Sequence, residues 1–231
     1  MMRLGDVISY TQMCQAEGVN LQRGMNFRLG GTYSVILMSV RSGAPYADKV
    51  ENEGKVLIYE GHDVPRTSKN LNPKKFDQPM FNPSGSRTQN GLFFEAAAGA
   101  KKNKASIQKV KVYEKIKPGI WVYNGIFDLM DAWQEAAGER KVFKFRLELS
   151  EYANIANFSQ DTNLDHNRLI PTQVKLQVWK RDKGQCVLCN SKDNLHFDHV
   201  IPFSKGGTSL AAKNVQLLCA RHNLGKRDRI E

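Results

Sequence analysis

The sequence predicts an α+β chain in two parts: a β-rich barrel or sandwich over residues 1–150, and a small metal-stapled domain over residues 171–231. Three observations predict this. Apolar runs and period-two alternation recur from Thr32 to Leu149. A polar, poorly periodic stretch, residues 151–170, then interrupts the pattern and reads as a linker. Three of the four cysteines, Cys186, Cys189 and Cys219, fall in the last fifty residues.

The elements follow in order. Residues 1–24 form a polar lead-in with one short helix. "TYSVILMSV" and "GKVLIYEG" read as buried strands, the second bounded by Gly54 and Gly61. Residues 62–90, rich in Pro, Asn and Ser, read as a long loop, and a loop of that length is usually functional. "ASIQKVKVYEKI" alternates. "VFKFRLEL" alternates cleanly, with Phe143, Phe145, Leu147 and Leu149 opposite Lys144, Arg146 and Glu148. Between these two strands, Ile126, Leu129 and Trp133 recur at helical spacing, so "GIFDLMDAWQEAAGERK" is expected to be a helix that Gly138 ends. "TQVKLQVWKRD", opened by Pro171, is expected to be a second helix, with Val174, Val178 and Trp179 on one face.

Composition narrows the function classes. The apolar fraction suffices for a packed core, and no window of eighteen apolar residues spans a membrane. The first residues lack the long apolar stretch of a secretory signal, so a cytoplasmic location with reduced thiols is expected. The formal net charge is +11, and residues 171–231 hold eleven Lys/Arg against five Asp/Glu. Such a balance fits a polyanionic partner such as nucleic acid, although solvated lysine faces give the same charge. Cys14 stands alone and reads as a bystander thiol.

The chemistry concentrates near the C-terminus. Cys186-x-x-Cys189 and Cys219-x-x-His222 are two ligand pairs, each with two intervening residues, and suit one tetrahedral structural zinc. A closed site of that kind does no chemistry, so Asp198, His199, Asn214 and Asn223 need another account. On a helix from about Ala220, Asn223, Lys226 and Arg227 share a face, offering an oxygen ligand and two cations to a phosphate. Asp198 supplies a hard carboxylate for a divalent ion, and His199 can take a proton near neutral pH. In a regular strand these two neighbours point to opposite faces, so a bend is expected before Pro202. His196 reads as a strand-filling residue.

Cys186-x-x-Cys189, Asp198-His199-Val-Ile-Pro202, Ser204-Lys-Gly-Gly207, Asn214-Val-Gln-Leu-Leu-Cys219, His222-Asn223 and Lys226 resemble the HNH nucleases with their ββα-metal fold. The resemblance covers nearly all of residues 171–231. It implies that His199 is the general base, that Asp198 and Asn223 hold a catalytic Mg or Mn ion, and that Asn214 tethers the loop behind His199. Two positions depart from the family pattern. Asn223 stands where His is frequent, and His222 stands where a fourth Cys is frequent.

The first domain resembles another family through the order of its motifs. These are Tyr33-Ser-Val-Ile-Leu, Pro45-Tyr46-Ala-Asp48, Leu57-Ile-Tyr59-Glu60-Gly61, Thr88-Gln89-Asn90, Val110-Lys-Val-Tyr and Trp121-Val-Tyr-Asn-Gly125. Over about residues 25–150 they resemble the SRA domain, a β-rich barrel that binds 5-methylcytosine in DNA. The resemblance implies a flipped base stacked between Tyr46 and Tyr59, with Asp48 or its substitute Glu60 accepting from the cytosine amino group. It also implies that Arg87, Gln89 and Asn90 contact the DNA that the base leaves. Glu60, standing where the family has Thr, leaves 5-methylcytosine and 5-hydroxymethylcytosine both open.

Together the motifs predict a modification-dependent endonuclease acting on double-stranded DNA. One catalytic centre cuts one strand, so a homodimer or two binding events are expected. Two rivals remain: a non-catalytic reader of modified DNA, and an HNH nuclease without modification preference.

Overall fold

In the computed structural model, residues 2–21, 23–29, 31, 33–68, 72–150, 169–202 and 205–226 are described. The first part is one mixed sheet with two helices. Its strands are β1 (Val7–Ser9), β2 (Met25–Asn26), β3 (Ser34–Met38), β4 (Lys49–Glu51), β5 (Val56–Glu60), β6 (Lys109–Lys117), β7 (Ile120–Ala137) and β8 (Arg140–Leu149). The helices are α1 (Tyr10–Glu17) and α2 (Gln89–Lys101). Spatial order is β2-β3-β6-β7-β8-β5-β4, with β1 on the early part of β7. Only the β3–β6 pair is parallel among the described strands. The sheet has β2 and β4 at its two ends, and no strand pair among the described residues closes it into a barrel.

The four expected strands form, but the expected helix over 125–141 does not. That segment is most of β7, an eighteen-residue strand bonded to β6 on one side and to β1 and β8 on the other. The spacing of Ile126, Leu129 and Trp133 fits a helix, yet β6 pairs with residues 126–128 and β8 with 127–137, and this tertiary pairing overrides the local pattern. Gly138, expected as a helix stop, has φ +65° and occupies the first central position of a two-residue hairpin loop. That is where a type II′ turn requires glycine.

Helix α2 begins inside the segment expected as loop. Thr88 caps it, its hydroxyl accepting from the Gly91 N–H at 3.2 Å. Phe93 and Ala97 drive it onto the sheet. The main core gathers Ile36, Leu57, Phe93, Phe127, Phe143 and Phe145, all at most 2 % exposed. Lys144, assigned by alternation to the wet face of β8, is buried instead, because Glu60 on β5 supplies its counter-ion at 3.0 Å.

The second part holds α3 (Thr172–Arg181), the hairpin β9 (Leu195–His199) and β10 (Val215–Cys219), and α4 (Ala220–Lys226). Most of the expected linker, residues 151–168, lies outside the described residues. Its last two residues are anchored: Leu169 in the main core, Ile170 in a second core. That second core joins the two parts, packing Ile116 and Val122 of the large sheet with Val174, Val178, Phe197, Leu217 and Leu218.

Two polar links reinforce the junction. Residues 5 and 6 bond to both sides: Phe197 N–H to the Gly5 carbonyl (3.1 Å), and Gly5 N–H to that of Tyr123 (2.9 Å). The hairpin is thereby spliced, through the N-terminal segment, to β7. Behind it, Lys175 of α3 reaches Glu114 of β6 at 2.8 Å and Asn124 Oδ1 at 2.7 Å, with Thr172 and Asn124 donating to Glu114. Glu114 and Lys175 are each about 1 % exposed. Burial resists ionisation of Glu114, but Lys175 and its two other donors outweigh that and hold its pKa below the ordinary value.

Candidate active site

The turn after α3 brings the first ligand pair to the foot of α4. Cys186, Cys189, Cys219 and His222 offer ligand atoms that all lie within 4.8 Å of one another. Cys186 Sγ lies 3.3 Å and Cys219 Sγ 3.4 Å from His222 Nδ1, and the Cys189 and Cys219 sulfurs are 3.8 Å apart. Ligands at zinc bond lengths of about 2.0–2.3 Å stand roughly 3.5–3.8 Å apart at tetrahedral corners, so the set fits one such ion. Burial opposes ionisation of Cys186. The backbone N–H groups of Cys219, Leu188 and Cys189 and the His222 ring outweigh it and bring the thiol down to about 6.

One hairpin length away, Asp198 and His199 end β9. The two side chains diverge, as strand alternation requires. Asp198 Oδ2 accepts from Lys226 Nζ on α4 at 2.5 Å. His199 Nε2 meets Ser209 Oγ at 2.8 Å in the loop that joins the two strands. Lys226 also donates to the His199 carbonyl, so one buried ammonium ties both residues to the helix.

Asn214 fixes the same loop. Its Oδ1 accepts from Ile201 N–H at 2.8 Å, and its Nδ2 donates to the carbonyls of Ile201 (3.1 Å) and Thr208 (3.0 Å). The tethering role expected for Asn214 therefore has a geometry. Gly207 belongs to the same clasp: a Cβ there would stand 1.8 Å from the Ile201 carbonyl oxygen. Ser209, 6 % exposed, is a site residue that sequence reasoning missed, for nothing distinguishes it from Thr208 before the loop folds.

Asn223 lies one turn before Lys226 on α4. It lines a cavity of about 360 Å³ together with Asn194 and His196 of the hairpin region and Arg3 and Asp6 of the N-terminal segment. His196 is not merely strand filling. Its Nδ1 lies 2.8 Å from Asp6 Oδ1, across the junction between the two parts. No hydrogen bond among the described residues joins Asn223 to Asp198, and Arg227 lies outside the described residues.

The expected base-binding residues meet on β5 and the loops beside it. Asp48 receives two backbone donors, Ser39 N–H (3.0 Å) and Glu60 N–H (3.1 Å). Burial, with Glu60 adding to it, still pushes the carboxyl up to about 6. Glu60 is engaged by Lys144 (3.0 Å), Arg140 (3.2 Å) and the Ala47 N–H (3.1 Å). Its carboxylate is the hub of a buried ion network rather than an open acceptor, which corrects its expected place in base recognition. Tyr59 is 2 % exposed, while Tyr46 is half-buried, with Lys74 Nζ 4.1 Å from its ring centroid.

The loop residues divide. Arg87 lies over Phe81, 4.0 Å from its centroid, and pairs with Glu95 at the surface. Gln89 accepts from the Phe27 N–H at 2.8 Å. Asn90, expected against DNA, is 1 % exposed and bonds to both backbone groups of His62, so it is a buried scaffold residue.

Comparison with known proteins follows the same division. Residues 186–229 match the family model described as HNH endonuclease. A search of curated proteins gives no match. Among solved structures, the chain is similar to the SUVH5 SRA domain crystallised with fully hydroxymethylated CG DNA. Identity is 23 %, over 64 % of this chain and 88 % of that one, with a TM-score of 0.44. A second SUVH5 SRA structure, with hemi-methylated CG DNA, gives 24 % identity over the same shares and the same TM-score. The modification-dependent TagI restriction endonuclease is 19 % identical over 96 % of this chain and 76 % of that one, with a TM-score of 0.42.

Proposed function

We propose that the chain is a metal-dependent DNA endonuclease directed by a modified cytosine, with residues 1–150 as reader and 171–231 as nuclease. The observation that carries the nuclease reading is the clasp around His199: Ser209 on its ring, Asn214 behind its loop, and Lys226 joining it to Asp198. In this reading the His199 imidazole, its Nε2 within 2.8 Å of Ser209 Oγ, is the group that takes a proton from the attacking water. Ser209 meets that ring directly, and Asn214 holds the loop that carries Ser209 through the Thr208 carbonyl.

Cys186, Cys189, Cys219 and His222 hold a structural zinc in this reading, and the distances among them suit it. Asp198 and Asn223, both oxygen donors, suit a Mg or Mn ion, and among the described residues Asp198 Oδ1 has no partner. When bound, such an ion supplies positive charge beside the departing 3′-oxygen.

The reader reading rests on the motif order and on Tyr46 and Asp48, placed together at β5 with a half-buried aromatic face and a carboxylate. The partner is double-stranded DNA carrying 5-methylcytosine or 5-hydroxymethylcytosine, with two copies of the chain for a double-strand cut. No helix among the described residues is long and apolar enough to cross a membrane, and a cytoplasmic enzyme acting on DNA fits the proposal.

The test is a pair of plasmids, methylated and unmethylated, incubated with Mg²⁺ and separately with Mn²⁺. Cutting of the methylated plasmid alone supports the proposal. Absence of nicks with either metal leaves a non-catalytic reader, and equal cutting of both leaves a nuclease without modification preference.

A further inference from the structure

We propose that His62, rather than Tyr59, supplies the second stacking face of the base pocket, opposite Tyr46. The inference rests on the reader reading above and names the pocket within it.

Tyr59 is poorly placed to stack. It belongs to the main core, 2 % exposed, and its hydroxyl is committed to His62 Nε2 at 3.2 Å. Its ring meets that of His62 at 56°, with centroids 6.3 Å apart, which is not a stacked pair. His62 is half-buried and faces Tyr46 in parallel, with centroids 5.7 Å apart and planes 23° apart. A flat base needs a van der Waals gap of about 3.5 Å on each side, hence roughly 7 Å between the flanking rings. The Tyr46–His62 pair already presents two nearly parallel faces, and a base enters by parting the two side chains until each ring meets one side of it.

The His62 position is built rather than incidental. Asn90, itself buried, accepts from the His62 N–H at 2.8 Å and donates to the His62 carbonyl at 2.9 Å. Gly24 closes over the far end: a Cβ there would stand 2.8 Å from the Tyr59 hydroxyl and 2.9 Å from His62 Nε2. The backbone of His62 is thus fixed by α2, and its ring is steered by Tyr59. Burial also pushes the imidazole down to about 4, so near neutral pH the ring is uncharged and stacks on a base without stripping water from a cation. In this arrangement Tyr59 is a positioning residue. With its hydroxyl donating to Nε2, the opposite edge of His62 keeps an Nδ1–H donor.

The experiment uses the full chain with His199→Ala, so that DNA is bound but not cut. Fluorescence anisotropy compares a duplex carrying one 5-methylcytosine with its unmodified twin, and 2-aminopurine beside the modified base reports unstacking. Tyr46→Ala, His62→Ala, His62→Phe and Tyr59→Phe are compared, each checked for an unchanged melting curve. His62→Ala is expected to weaken binding of the modified duplex about ten- to a hundredfold and to remove the unstacking signal. His62→Phe keeps the flat face and stays within severalfold of the parent, and the unmodified twin is unaffected throughout. The proposal is overturned if Tyr46→Ala loses discrimination while His62→Ala keeps it, or if His62→Phe fails as badly as His62→Ala. A parent protein that does not distinguish the duplexes instead sinks the reader reading, and the pocket with it.

Discussion

The two candidate sites are assembled in opposite ways. At the nuclease site the candidate residues lie between Cys186 and Lys226, and the cysteines, His222, Asp198, His199 and Asn214 find their partners within that span. At the base site, Tyr46, Asp48, Glu60, His62, Asn90 and Arg140 come from distant parts of the chain and meet only because the sheet folds. A locally built site keeps its roles when read one residue at a time. In a site built over long range, roles are reassigned by neighbours that the local sequence does not show.

The comparison can be broken first at the cluster of Cys186, Cys189, Cys219 and His222, which is proposed to hold zinc. Cys186→Ser or strong chelation is expected to unfold the hairpin and α4, since apparent binding free energies of structural zinc are about 10–16 kcal/mol in small modules. Circular dichroism with metal analysis checks this. Retention of a full melting transition after metal removal would show that the second core alone holds the nuclease part.

A smaller effect separates chemistry from binding. His199→Ala is expected to lower the cleavage rate by about 10²–10⁴-fold while leaving DNA affinity unchanged. Single-turnover cleavage and anisotropy on the same protein decide it, and a parallel loss of both would place His199 in binding instead.

The junction gives the third test. Lys175→Met leaves Glu114 buried without its cation and is expected to cost about 3–5 kcal/mol, whereas adding Glu114→Leu should restore much of the loss. Thermal melts that show two separate transitions in Lys175→Met alone would mean that the pair welds reader to nuclease.

The smallest expected effect concerns Asp48. Its folded pKa of about 6 lies above the ordinary 3.8, so between these values the native chain keeps a proton that the unfolded chain has released. Stability therefore falls as pH rises from about 4 to 6, and ionisation is completed above that window. If the ionised carboxylate accepts from the cytosine amino group, binding of modified duplex strengthens severalfold as pH rises through about 6. Asp48→Asn should flatten both profiles. An unchanged binding profile would remove Asp48 from the pocket.

Legibility in the sequence follows the same division. The ligand pairs could be read because short spacings fix short distances, Asp198 and His199 from the chemistry of their side chains, and the Asn214 tether only from the resemblance of its motif to the HNH nucleases. The strands β3, β5, β6 and β8 could be read from apolar runs and alternation. Strand β7 could not, because its helical spacing is real and only long-range pairing, chiefly with β8, decides against it. Glu60 and Asn90 were misplaced for a related reason: a carboxylate or amide looks available until Lys144, Arg140 or the backbone of His62 occupies it. Ser209 and His62 carried no spacing signal at all.

The splice at Gly5 and Asp6 has a mechanical corollary. A cutter hung on a floppy tether would leave fragments of scattered length, whereas a blade bolted to an interior strand of the sheet would measure one offset. Loosening that bolt, for instance with proline at position 5, should blur a sharp band on a sequencing gel into a ladder.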